Sequence, residues 1–170
     1  MINLIKTITD HIGLKVPKKE LVDILFDKDI TFYLDDANKE TDRLFASSSG
    51  TRERCEIWDK CTDGKLAEIL IKELFPDQFI EVGPNSLIKF VSDKWLDLSK
   101  NIGNAIIYHD LIHITSGEVV EIKRWAPDVI EQKLKLFKER DCKKYNFSHW
   151  IIICSYDKAN TWIHSIERLR

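Results

Sequence analysis

Trp150-Ile151-Ile152-Ile153-Cys154 restricts the fold of this chain more than any other stretch: five consecutive apolar residues, three of them isoleucines in a row. An apolar run of strand length with no polar alternation reads as a β-strand covered on both faces. Such a strand needs a packed layer above and below it, and the flanking patterns offer helices for both. Lys65 to Phe75 is helical up to the stop at Pro76, and Asp128 to Arg140, opened by Pro127, turns Val129, Ile130, Leu134 and Phe137 inward. Between them Gln78 to Val82 reads as a strand. Ala105 to Ile114 and Glu118 to Arg124 read as a hairpin around Thr115-Ser116-Gly117. A last helix is expected at about Lys158 to Arg168. The order of helix, three strands, helix, strand and helix predicts an α/β sandwich with a mixed central sheet flanked by helices.

At 170 residues and 19.9 kDa the chain has the length of one domain. Residues 1–50 read as an N-terminal helical extension of that domain. Ile2, Leu4, Ile5, Ile8 and Ile12 make one apolar stripe and Lys19 to Phe26 another, Ile30 to Leu34 a short strand and Asp35 to Glu40 a loop, up to the breaker Ser47-Ser48-Ser49-Gly50. Residues 51–170 form the core. Its first helix starts at Thr51 with a kink at Asp63-Gly64, and an insertion at about 84–103 carries one short helix near Lys94 to Leu98. No apolar run nears the roughly 18 residues of a membrane span, and the first residues lack the pattern of a signal peptide. The expectation is an intracellular protein with no membrane contact. Cys55, Cys61, Cys142 and Cys154 form no CxxC pair, so neither a zinc knuckle nor a disulfide framework is indicated.

The net charge of −2 conceals an uneven distribution. Residues 1–122 carry −7, residues 123–144 carry +4, and the remainder +1. The basic stretch holds Lys123, Arg124, Lys133, Lys135, Lys138, Arg140, Lys143 and Lys144, either a solvated helix face or a phosphate-backbone contact.

Strand alternation puts Tyr108, Asp110 and Ile112 on one face of the hairpin, and His109, Leu111 and His113 on the other. Val119, Glu121 and Lys123 share a face of the partner strand. If the turn is the two-residue loop Thr115-Ser116, Asp110 stands directly opposite Glu121. Like charges there destabilise unless a cation compensates. Two carboxylates suit Mg²⁺, and Lys123 projects beside them, able to hold a water or stabilise charge on a phosphorane-like oxygen. The plainer alternative is a cross-strand salt bridge involving Lys123. Acid-x-Lys occurs four times in the chain, but only Glu121-Ile122-Lys123 lies on a strand with a co-facing acid.

Asp110 followed by Glu121-Ile122-Lys123, within helix, three strands, helix and strand, resembles the PD-(D/E)xK phosphodiesterase superfamily of restriction endonuclease-like nucleases. His109 stands where the motif has Pro. The pairs Pro76-Asp77 and Pro127-Asp128 lie at helix ends and do not fit the metal site. The resemblance implies a restriction endonuclease-like core and a Mg²⁺-dependent endonuclease, with Mn²⁺ substituting. Asp110 and Glu121 would be metal ligands, Lys123 catalytic, and Glu68, on the first core helix, a third and outer ligand. Glu68 is otherwise an ordinary ion-pair partner of Lys65 and Lys72. Arg124, Gln132, Lys133 and Lys135 are the expected nucleic-acid contacts. DNA is the expected substrate, cut by a restriction-type or structure-selective enzyme acting as a homodimer. The alternatives are a cap-snatching-like RNA endonuclease and a non-catalytic binding or assembly module. His109 and His113, turned away from Asp110, read as a structural pair, and Trp125 as core rather than a base-stacking platform.

Overall fold

The computed structural model describes residues 3–48, 50, 52–81, 110–142 and 149–169. It is a mixed α/β fold with a six-stranded mixed sheet and, among the described residues, five α-helices. The helices are α1 (Leu4–Thr9), α2 (Lys18–Leu25), α3 (Phe32–Ser47), α4 (Arg54–Leu74) and α5 (Ile130–Leu136). A 3₁₀ turn at Pro127–Val129 leads into α5, and a π-helical segment, Phe137–Cys142, follows it. The strands are β1 (Val16–Pro17), β2 (Phe79–Glu81), β3 (Leu111–His113), β4 (Val119–Arg124), β5 (Trp150–Tyr156) and β6 (Asn160–Arg168), in sheet order β1-β6-β5-β4-β3-β2.

β5 sits inside the sheet, parallel to β4 and antiparallel to β6. Ile152 and Cys154 face Leu66, Ala67, Ile69 and Leu70 of α4, while Ile151 and Ile153 face Ile130, with Leu134, Phe137 and Trp125 packed around them. All of Trp150 to Cys154 is therefore buried, as a run with no polar residue requires. Leu4, Ile8, Leu21, Leu25 and Tyr33 join the α4 side of the core, so residues before 50 are part of the same packing unit.

Four local readings differ from the sequence expectation. Residues 160–168 form a strand, not a helix. Asp157 Oδ1 accepts the N–H groups of Ala159 and Asn160, closing a hairpin, and Thr161 and Ile163 point inward. Ile30 to Leu34 is not a strand and Asp35 to Glu40 is not a loop. Both belong largely to α3, whose polar Asp36 and Thr41 are buried with Ala37. The helix α4 runs unbroken through Gly64, held by packing on both sides of it; Ile57, Thr62, Leu66 and Ala67 are all buried. The expected insertion at 84–103 and the first half of the 105–114 strand lie outside the described residues.

The β3–β4 hairpin keeps the expected register, Leu111 opposite Val120 and Ile112 opposite Val119, but closes through a longer loop. Glu118 O accepts from His113 N (2.9 Å) and His113 O from Gly117 N (2.8 Å), so Ile114 to Gly117 form the loop, and Ile114 N–H donates to Gln78 O instead of Ile114 pairing with Gly117. The His113 ring and Ser116 Oγ, 2.8 Å apart, brace it. Gly117 has φ +70 with open space where a Cβ would stand. Gly117→Ala should cost about 1 kcal/mol in urea unfolding, from the backbone alone, with the slope of the transition unchanged.

Candidate functional site

Among the described residues the ladder between β3 and β4 ends at Leu111 and Val120, and β4 continues paired to β5. At that fork Asp110 replaces a backbone partner: Ile122 N–H donates to Asp110 Oδ2 at 2.6 Å. Asp110, one residue before β3, and Glu121, one residue past the last pair of the ladder, flank the fork. Lys123 Nζ lies 2.9 Å from Glu121 Oε1 and 5.3 Å from the centroid of the Phe137 ring. Both side chains are partly buried, on the sheet face covered by α5.

Glu68 approaches from α4. It is 7% exposed, and both carboxylate oxygens accept from Lys65 Nζ, at 3.2 and 3.0 Å. The same ammonium donates to Asp36 Oδ2 on α3. Burial, reinforced by the neighbouring Glu68, pushes the Asp110 carboxyl up to about 7, against the attraction of Lys123, the Ile122 N–H and Lys65. Burial likewise raises Glu68, opposed by Lys65. Burial alone would pull the Lys65 ammonium down. The Glu68 and Asp36 carboxylates outweigh that, and its pKa is raised.

The four residues expected to carry the chemistry, Glu68, Asp110, Glu121 and Lys123, are thus linked in one electrostatic chain. Asp110, just before β3, and Glu121 on β4 carry hard oxygen donors, the kind that suits Mg²⁺. Among the described residues, however, no group of three or more His, Cys, Asp or Glu side chains is gathered in positions to hold a metal. Glu68 is engaged with Lys65, and Glu121 with Lys123.

The expected nucleic-acid contacts divide. Gln132, Lys133 and Lys135 are exposed on α5. Arg124 is not: its side chain is 2% exposed, donates to Asp63 Oδ2 at 2.6 Å and stacks 4.0 Å over Tyr156. Its alternation along β4 turns it to the α4 side, where it ties helix to sheet instead of meeting phosphate. Lys138 is paired with Glu167. Trp125 packs against the Ile130, Ile151 and Ile153 cluster, as the core reading expected, and the buried His113 ring lies tilted 5.4 Å from the Phe79 ring. His109, Lys143 and Lys144 lie outside the described residues. Asp36 and the central place of Lys65 escaped sequence reasoning. Lys65 was visible only as a helix-spaced neighbour of Glu68, and Asp36 carried no signal within its polar run.

Comparison with family models, curated proteins and solved structures finds no match to this chain.

A carboxyl whose folded pKa is raised holds its proton more tightly in the native state, so it contributes stability at low pH that is lost as pH rises. For Asp110 the loss runs from about pH 4, the ordinary value of an aspartate, to about pH 7. Asp110→Asn keeps an acceptor for Ile122 N–H and removes the charge. It should raise stability at pH 8 by on the order of 1 to 3 kcal/mol, with little change at pH 4, in urea titrations at the two pH values.

Proposed function

We propose that the protein is a metal-dependent phosphodiesterase that cleaves DNA, with a core of the restriction endonuclease-like, PD-(D/E)xK kind. One observation carries the reading: Glu68 from a helix, Asp110 at the strand fork, and Glu121 with Lys123 on the next strand form a single coupled cluster. The order of α4, antiparallel β2-β3-β4, α5 and a β5 parallel to β4 agrees with the core the motif implies. Asp110 and Glu121 would hold Mg²⁺, which when bound supplies charge stabilisation at the phosphate and an acidified water. Asp110 gives up its proton and keeps its bond to Ile122 N–H, which fixes the carboxylate at the fork. Lys123 leaves Glu121 and presents its ammonium to the attacking water or to the negative charge growing on the phosphate oxygens. Glu68 stands behind Asp110 as an outer carboxylate. Lys133 and Lys135 on the exposed face of α5 supply backbone contacts without reading sequence.

Asp110→Ala and Lys123→Ala should each lower Mg²⁺-dependent cleavage of duplex DNA by about 10²-fold or more, with circular dichroism unchanged. Undiminished cleavage by both purified variants overturns the assignment. Single-stranded RNA offered in parallel reports whether the substrate is RNA instead. Removing Lys133 and Lys135 together should weaken binding to unrelated DNA sequences alike. It should reduce the slope of log affinity against log salt by about 0.9 per lysine. A second reading has its own observation: the Lys123–Glu121 ion pair and the lack of a gathered metal group among the described residues suit a non-catalytic binding module. Calorimetric titration with Mn²⁺ separates the two, since a catalytic cluster binds it and a salt-bridged face does not.

A further inference from the structure

The chain Asp36–Lys65–Glu68 is an uneconomical way to join two helices. The side chains of Lys65, Asp36 and Glu68 are 11%, 5% and 9% exposed. Burying an ion pair costs several kcal/mol of desolvation per ion, and apolar residues of the same volume commonly serve as well. If the contact only packed α3 on α4, one carboxylate would suffice. Lys65 instead spans two, meeting Asp36 on the neighbouring helix and Glu68 one turn along its own. Glu68 stands next to Asp110, and Asp36 Oδ1 is buried with no hydrogen-bond partner among the described residues.

Asp110 stands at the strand fork on the Ile122 N–H and Glu121 is paired with Lys123 of its own strand, whereas both oxygens of Glu68 are held by an ammonium that is itself anchored on a different helix.

We propose that Lys65, anchored by Asp36 of the N-terminal region, is a positioning residue that engages both oxygens of Glu68, keeps Glu68 as an outer carboxylate and restricts the direct metal ligands to Asp110 and Glu121. This rests on the nuclease reading above and adds a residue pair to it. It also gives the N-terminal helices a share in the site, because α3 supplies the anchor. Removing Lys65 frees Glu68 to become a direct ligand. Affinity for the metal then depends on Glu68 more strongly than before.

The test is a double-mutant cycle read by calorimetric titration with Mn²⁺ alone, beside duplex DNA cleavage. In the otherwise unaltered chain, Glu68→Gln removes an outer carboxylate, and its effect on Mn²⁺ affinity is the baseline of the cycle. In the Asp36→Asn/Lys65→Met background, which removes the ammonium together with its anchor, Glu68→Gln should weaken Mn²⁺ binding about 10-fold more than it does in the unaltered chain. Lys65→Arg, which keeps a cation on Glu68, should restore the dependence of the unaltered chain. If the Asp36→Asn/Lys65→Met protein does not fold, Lys65→Gln is read in its place. It keeps a donor to Glu68 but not the charge, and the same 10-fold dependence is expected. Equal effects of Glu68→Gln in both backgrounds, with the unaltered chain binding Mn²⁺ and cutting DNA, overturn the positioning role and leave the nuclease reading standing. If the unaltered chain binds no Mn²⁺, the nuclease reading falls and this inference falls with it.

Discussion

A lysine ammonium buried between two carboxylates carries a heavy desolvation cost, and the structure bears it at the centre of the molecule. Lys65 bridges Asp36 and Glu68 where α3, α4 and the strand end that holds Asp110 meet. Each member depends on the others. Without Lys65 two buried carboxylates would face each other across a helix boundary, and without the carboxylates the ammonium would not tolerate its burial. This contact joins α3 to α4 beside the Trp58–Asn38 and Arg54–Asp42 contacts, and through Glu68 it adds to the electrostatic surroundings of Asp110.

The sheet supplies the second half of the arrangement. β5 is apolar on both faces, so it sits inside the sheet with α4 on one side and α5 on the other. Among the described residues β4 pairs with β5 along its length but with β3 only as far as Leu111, and this makes the fork. An unpaired backbone N–H inside a protein needs an acceptor, and Asp110 Oδ2 provides one at Ile122. The same carboxylate thus closes the sheet and stands in the charged cluster. Arg124 shows the other use of charge in this fold. It alternates away from Glu121 and Lys123 to the α4 side and holds the helix through Asp63.

Much of the fold was legible from local pattern. The buried run at 150–154, the β4 strand, the helix up to Leu74 and the hairpin register all follow from periodicity and turn chemistry. These act over a few residues and depend little on what is packed against them. The register held although the loop at Ile114 to Gly117 is longer than expected. Lengthening it from two residues to four removes one pair without changing which residues oppose each other. The 160–168 segment shows where this stops working. Trp162, Ile163 and Ile166 suit a helix spacing as well as a strand, and the strand wins because β5 offers an edge and Asp157 closes the turn toward it.

By itself, then, the sequence determined a layered α/β chain with an acid, an acid and a lysine on facing strands, since side-chain alternation along a hairpin depends on backbone geometry alone. Tertiary structure decided everything that joins residues distant in the chain. It put Asp36 against Lys65 across 29 positions and Arg124 against Asp63 across 61, and so separated the charges of the site from the charge that braces the core. Composition and spacing cannot make that division, because a charged side chain reads the same in sequence whether it ends in water or in a buried pair. Only the packing of α3 and α4 against the sheet decides which.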